Sequence, residues 1–99
     1  MQQIYTIQQM RECLAPVFRK NNVRKATIFG SYSKGVATLM SDIDLMVDSG
    51  LHGLAFFGLL EDINEMLECE VDLIDVSQII PDSKIDQEIR RTGVVIYEE

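Results

Sequence analysis

The residues of this chain whose types and spacing can do chemistry are a Gly-Ser pair and three aspartates. Gly30-Ser31 is followed, after ten residues, by Asp42-Ile43-Asp44, and Asp72 stands in a later run, Glu70 to Val76. A Gly-Ser pair at the end of a strand lets backbone amides and a hydroxyl come close to an anion, and a helix starting there adds its positive end. The plainer alternative is a turn. Two carboxylates at i and i+2 on a strand point to one face, where they can hold divalent cations that bridge phosphate oxygens. Alternatively they only solvate a strand end. Asp72, on a neighbouring strand, would complete a set of three, and carboxylates gathered without bases repel one another unless Mg²⁺ neutralises them. Gly30 to Gly35 has Walker-like glycine spacing but lacks the following Lys-Ser/Thr, and an EF-hand register from Asp42 would put Gly53 where Glu is required.

These groups need a framework, and the hydropathy pattern supplies one. From Ile7 to Asn21, the residues Ile7, Met10, Leu14, Val17 and Phe18 recur at helical steps. Pro16 lies inside this pattern and deletes a bond to the Glu12 carbonyl, which predicts a kink, a restart or a helix that begins near Pro16. Asn21-Asn22 reads as the stop. Lys25 to Phe29 (KATIF) reads as a buried strand ending at Gly30, and Tyr32 to Ser41 holds a short helix or turn around Lys34-Gly35. Asp42 to Val47 alternates polar and apolar residues, as a strand does. So short a connection between the first two strands favours an antiparallel or mixed sheet over a Rossmann topology.

A second long helix is expected over roughly Gly53 to Leu67, with Leu54, Phe57, Leu60, Ile63, Met66 and Leu67 at helical spacing and with Glu61, Asp62 and Glu65 outward. Phe56 and Phe57 read as core. Glu70 to Val76 is a third strand, with Val71, Leu73 and Val76 inward, Asp72 on the other side and Asp75 out of that register. After Pro81-Asp82, Ser83 caps a helix from Lys84 to Thr92 stopped by Gly93, and Val94 to Tyr97 forms a last, edge-like strand.

Composition narrows the class. Ninety-nine residues that are 46% apolar and 25% charged describe one foldable domain, 1–99, and argue against disorder or a disulfide scaffold. The net charge of −7 disfavours binding nucleic acid or an anionic membrane through a broad basic face. Cys13 and Cys69 have no metal-binding or paired spacing and read as reduced thiols of a cytoplasmic protein. The N-terminal decapeptide lacks a signal-peptide pattern, and no apolar run is long enough to span a membrane.

The pattern Gly30-Ser31-x10-Asp42-x-Asp44, with Asp72 in a Val-Asp-Leu context, resembles the minimal nucleotidyltransferases of the DNA polymerase β-like superfamily. The likeness runs through "ATIFGSYSKGVAT", "SDIDLMVD", "EVDLIDV" and "TGVVIYE". It implies an α/β (α+β) fold, a small mixed sheet flanked by helices in the manner of a polymerase palm. Members of this size resemble antitoxins of type VII-like pairs whose partner is a HEPN ribonuclease toxin. By that resemblance the chain would transfer AMP from ATP to a tyrosine of the toxin, with two Mg²⁺ ions.

Carried over by the same resemblance, Gly30 and Ser31 would hold the β- and γ-phosphates and Asp42 and Asp44 both metal ions, while Asp72 would bind the catalytic metal and help deprotonate the acceptor. Lys34 stands where relatives often carry Arg, so the charge is kept and bidentate phosphate contact is not. Two alternatives remain: an antitoxin that neutralises by binding alone, and a small-molecule nucleotidyltransferase, for which the chain has no room to carry an acceptor-binding module. Self-association and hetero-association with the toxin both stay open.

The remaining candidates have plainer readings. His52 reads as a solvated loop histidine, and Arg19, Lys20, Arg24 and Lys25 as a solvated basic cluster. Tyr32 and Tyr97 could stack on adenine or sit half-buried at the sheet edge.

Overall fold

The computed structural model describes residues 4–99, so residues 1–3 of the N-terminal decapeptide lie outside the described residues. Helix α1 (Ile7–Lys20) starts at Thr6, whose hydroxyl accepts from the Gln9 N–H while the Gln9 side chain accepts from the Thr6 N–H. It runs through Pro16 without restarting. Met10, Leu14, Val17 and Phe18 are all buried on its inner face, and that packing holds the helix across the missing hydrogen bond. Asn21 caps the end and Asn22 turns the chain at φ +57°.

Strand β1 (Lys25–Phe29), the one-turn helix α2 (Ser31–Lys34) and strand β2 (Ile43–Asp48) follow, then α3 (Leu54–Met66), β3 (Val71–Asp75), a 3₁₀ turn (Val76–Gln78), α4 (Lys84–Thr92) and β4 (Val94–Glu98). The sheet order is β3-β2-β1-β4. β1 pairs antiparallel with β2 and β4, and β2 pairs parallel with β3. The mixed sheet and the edge position of β4 are as the sequence predicts, with strand ends displaced by a residue or so.

One sheet face carries Ala26, Ile28, Leu45, Val47 and Ile96 into a core shared with Met10, Leu14, Phe18, Leu59 and Ile63 from α1 and α3. The other face carries Thr27, Asp44, Met46 and Asp72, and α4 meets β1 there, where Gly93 lies against Thr27. Among the described residues, no helix is long and apolar enough to cross a membrane.

Two expectations need correction. Helix α3 buries Leu59 and Ile63, whereas Leu54 is 90% and Phe57 63% exposed, so Phe57 is not core. The helix is apolar on more than one side, and its packing rather than its period selects the buried stripe. Val76 does not point inward: β3 ends one residue earlier, Val76 opens the 3₁₀ turn, and Asp75 takes the buried position.

A buried carboxylate is tolerable there because it is fully partnered. Asp75 accepts from the Ser49 hydroxyl at 2.6 Å, the Ser49 N–H at 3.1 Å and the Ser77 N–H at 2.9 Å. Burial pushes its pKa up, but the bonds from Ser49 and Ser77 outweigh it and hold the carboxyl below the ordinary range. Asp75→Ala strands these donors and is expected to cost about 2–3 kcal/mol at neutral pH. A depressed native pKa stabilises above the unfolded value and is lost as pH falls through the native one. The deficit should therefore shrink in acid, as urea melts at pH 7 and pH 3 would register.

Candidate active site

The site forms where three strands align. Phe29 pairs with Asp44 across β1 and β2, and Asp44 pairs with Asp72 across β2 and β3, so the two carboxylates stand side by side on the face away from the main core. They line a cavity of about 610 Å³ together with Phe29, Gly30, Leu60, Ile85 and Glu88. Gly30, Asp44 and Asp72 of the expected set are thus brought together. Asp44 is half-buried and Asp72 exposed.

Gly30 is required at this corner on two counts. Its backbone adopts φ +76° and ψ −147°, a region almost closed to residues with a side chain. A Cβ placed on it would also lie 2.5 Å from Asp44 Oδ2. Ser31, half-buried, then opens α2, and the Ser33 hydroxyl donates to the Gly30 carbonyl at 2.8 Å. Gly35 ends that turn at φ +75°.

Asp42 precedes β2 and does not line this cavity. It borders a smaller one of about 210 Å³ with Leu39, Met40, Ser41, Cys69 and Glu70. Its charge still reaches Asp44. Burial raises the Asp44 pKa, and the carboxylates of Asp72, Asp42 and Glu88 raise it further. That is an anionic pocket whose central carboxylate would gain from a bound cation. Among the described residues, no three His, Cys, Asp or Glu side chains form a closed metal cage.

Glu88 and Thr92 are members of the site that the sequence reading misses. Both sit on α4; the Glu88 carboxylate accepts from Lys34 Nζ at 3.3 Å, and Thr92 Oγ1 accepts from the Gly30 N–H at 3.3 Å. The available signal was that Ile85 and Glu88 are three apart on one helix and therefore share a face. Neither tyrosine is free to stack on a base. Tyr32 is buried with its hydroxyl 3.6 Å from Cys69 Sγ, and burial, followed by that contact, leaves its phenol pushed up to about 12. Tyr97 packs on Phe18 with ring centroids 5.2 Å apart. His52 lines a separate recess with Phe57 and Ser77. Three of the four clustered basic residues form surface ion pairs, Lys20 with Asp62, Arg24 with Asp48 and Lys25 with Glu98.

Residues 12–99 match the family model described as polymerase beta, nucleotidyltransferase. The chain belongs to the polymerase β nucleotidyltransferase family. This nucleotidyltransferase is 32% identical over 78 residues to a Methanocaldococcus jannaschii protein named as a protein adenylyltransferase, covering 76% of this chain and 83% of the relative. Among solved structures, it superimposes on a chain of a toxin–antitoxin complex with AMP-PNP at a TM-score of 0.73 and 26% identity, over 90% of this chain and 73% of the other. It shares its fold with a chain of the tri-AMPylated Shewanella oneidensis HEPN toxin in complex with its MNT antitoxin, at a TM-score of 0.68 and 23% identity, over 95% and 74% of the two chains. The expected palm-like nucleotidyltransferase fold is therefore established.

Proposed function

We propose that this nucleotidyltransferase is the antitoxin of a HEPN toxin pair and transfers AMP from ATP to a tyrosine hydroxyl of the toxin. The observation that carries the reading is the registered pair Asp44 and Asp72 beside the Gly30 corner, in a pocket whose carboxylates crowd one another. The likeness to the M. jannaschii adenylyltransferase and to a toxin–antitoxin chain with AMP-PNP supports the choice of ATP and of a protein acceptor. Residues 1–99 act in this reading as a single catalytic domain.

The donor set fits magnesium, which takes one or two carboxylates and completes its shell with waters and substrate phosphates. Asp42, Asp44 and Asp72 would hold two ions, which supply charge neutralisation of the polyphosphate and activation of the attacking oxygen. Gly30 and Ser31 receive the β- and γ-phosphates, because the glycine admits them to the backbone and the serine offers a hydroxyl. Asp72, exposed at the cavity edge, accepts the proton as the tyrosine oxygen bonds to the α-phosphorus and pyrophosphate departs. Because the toxin brings the acceptor to the cavity, no contact with nucleic acid or membrane is needed.

The test is incubation of the chain with α-labelled ATP, Mg²⁺ and the product of the neighbouring gene, which this reading expects to be a HEPN protein. The expected outcome is label on a partner tyrosine, lost when Asp42 and Asp44 are both replaced by Ala. No label with the wild type, or protection of cells by the double variant, would overturn enzymatic neutralisation and leave neutralisation by binding.

A further inference from the structure

Helix α4 grips the Gly30-Ser31 corner at both ends of α2. At the first end, the Gly30 N–H donates to Thr92 Oγ1 at 3.3 Å, and the Thr92 hydroxyl donates to the Glu88 carbonyl at 2.8 Å. At the other, Lys34 Nζ donates to Glu88 Oε1 at 3.3 Å. Glu88 is a wall of the same cavity as Asp44 and Asp72. Its second carboxylate oxygen accepts from Arg91 at 2.5 Å. The Lys34 side chain is 48% exposed, and without a partner a lysine so placed samples many rotamers in water.

We propose that Glu88 is a positioning residue for the nucleotide: its ion pair holds the Lys34 ammonium at the cavity rim, where the polyphosphate of a nucleoside triphosphate meets it. The inference rests on the function proposed above, which places that polyphosphate at Gly30-Ser31. The wall acid does not make the rim repulsive to the ligand, because one carboxylate is shared by two cations, Lys34 and Arg91, and the trio carries a net positive charge. Hydrogen bonds from Lys34 and then Arg91 keep the Glu88 carboxyl below its ordinary pKa, so the pair persists at neutral pH. The gain is pre-organisation: the cation is already ordered when the anion arrives.

The experiment measures binding of a fluorescent ATP analogue with Mg²⁺ to the full chain, together with KM and kcat for ATP in the transfer reaction. Lys34→Ala is expected to weaken binding about 10-fold, the scale of one charge-assisted contact. Glu88→Ala should raise KM about 5-fold with kcat changed less than about 2-fold, and Glu88→Asp should recover part of the loss. The double variant should bind no more weakly than Lys34→Ala alone, because Glu88 acts through Lys34. A purely structural role for Glu88 would lower the melting temperature without this coupling. Unchanged binding by Glu88→Ala, or single losses that multiply in the double variant, overturns the proposal alone, and Glu88→Gln supplies a folded alternative should the alanine variant unfold. Failure of the wild type to bind the analogue overturns both this proposal and the function it rests on.

Discussion

Asp44→Asn is expected to cut nucleotide transfer at least about 100-fold while raising the melting temperature by about 2–5 °C, the scale on which single changes move a domain of this size. The two effects have one origin. Burial and the charges of Asp72, Asp42 and Glu88 raise the Asp44 pKa, so the folded protein takes up its proton more readily than the unfolded chain does. For an acid shifted in this direction, native stability falls as pH rises from the unfolded to the native pKa, and the cost is fully present above the native pKa. An amide of the same shape removes it. Mild acidification should stabilise the wild type for the same reason and affect the Asn variant less. Mg²⁺ should raise the wild-type melting temperature by relieving the same repulsion, and the Asn variant should lose most of that response. Calorimetry across pH, with and without Mg²⁺, checks all of this; a lower melting temperature for Asp44→Asn would mean that the carboxylate holds the fold together and is not a strained functional group.

The second large effect belongs to Gly30→Ala. The added Cβ meets Asp44 Oδ2 at 2.5 Å and must also adopt φ +76°, so either the corner opens or Asp44 swings away. Backbone strain of this kind costs about 1–3 kcal/mol, and displacement of Asp44 should reduce transfer at least about 100-fold. The two causes can be separated. Adding Asp44→Ala removes the contact but not the strained φ, so the double variant should be more stable than the sum of the single changes predicts. Urea denaturation of the four proteins gives the coupling; strict additivity would show that Gly30 and Asp44 do not crowd each other.

Much of the element order is readable in the sequence because it rests on local properties: the helical spacing of Met10, Leu14 and Phe18, the alternation from Asp42 to Val47, the Ser83 cap and the Gly-Ser stop after KATIF. The i, i+2 relation of Asp42 and Asp44 and the Gly-Ser spacing need no tertiary contact to be recognised, and the family resemblance rests on them, while the match of residues 12–99 to the family model shows it. Pairing across space is another matter. That Asp72 faces Asp44 depends on the parallel register of β2 with β3, set by side chains 28 positions apart in the chain. Glu88 and Thr92 enter the site because α4 folds back over β1, which no local period encodes. Helix α3 has apolar residues on more than one side, so sequence periodicity alone could not say whether Leu59 or Phe57 is buried. The sequence places Asp75 only out of the register of Asp72, and that it is buried and partnered depends on Ser49 and the turn at Ser77. Local spacing wrote the chemical alphabet of this site into the chain; long-range packing and strand register chose which of those groups meet.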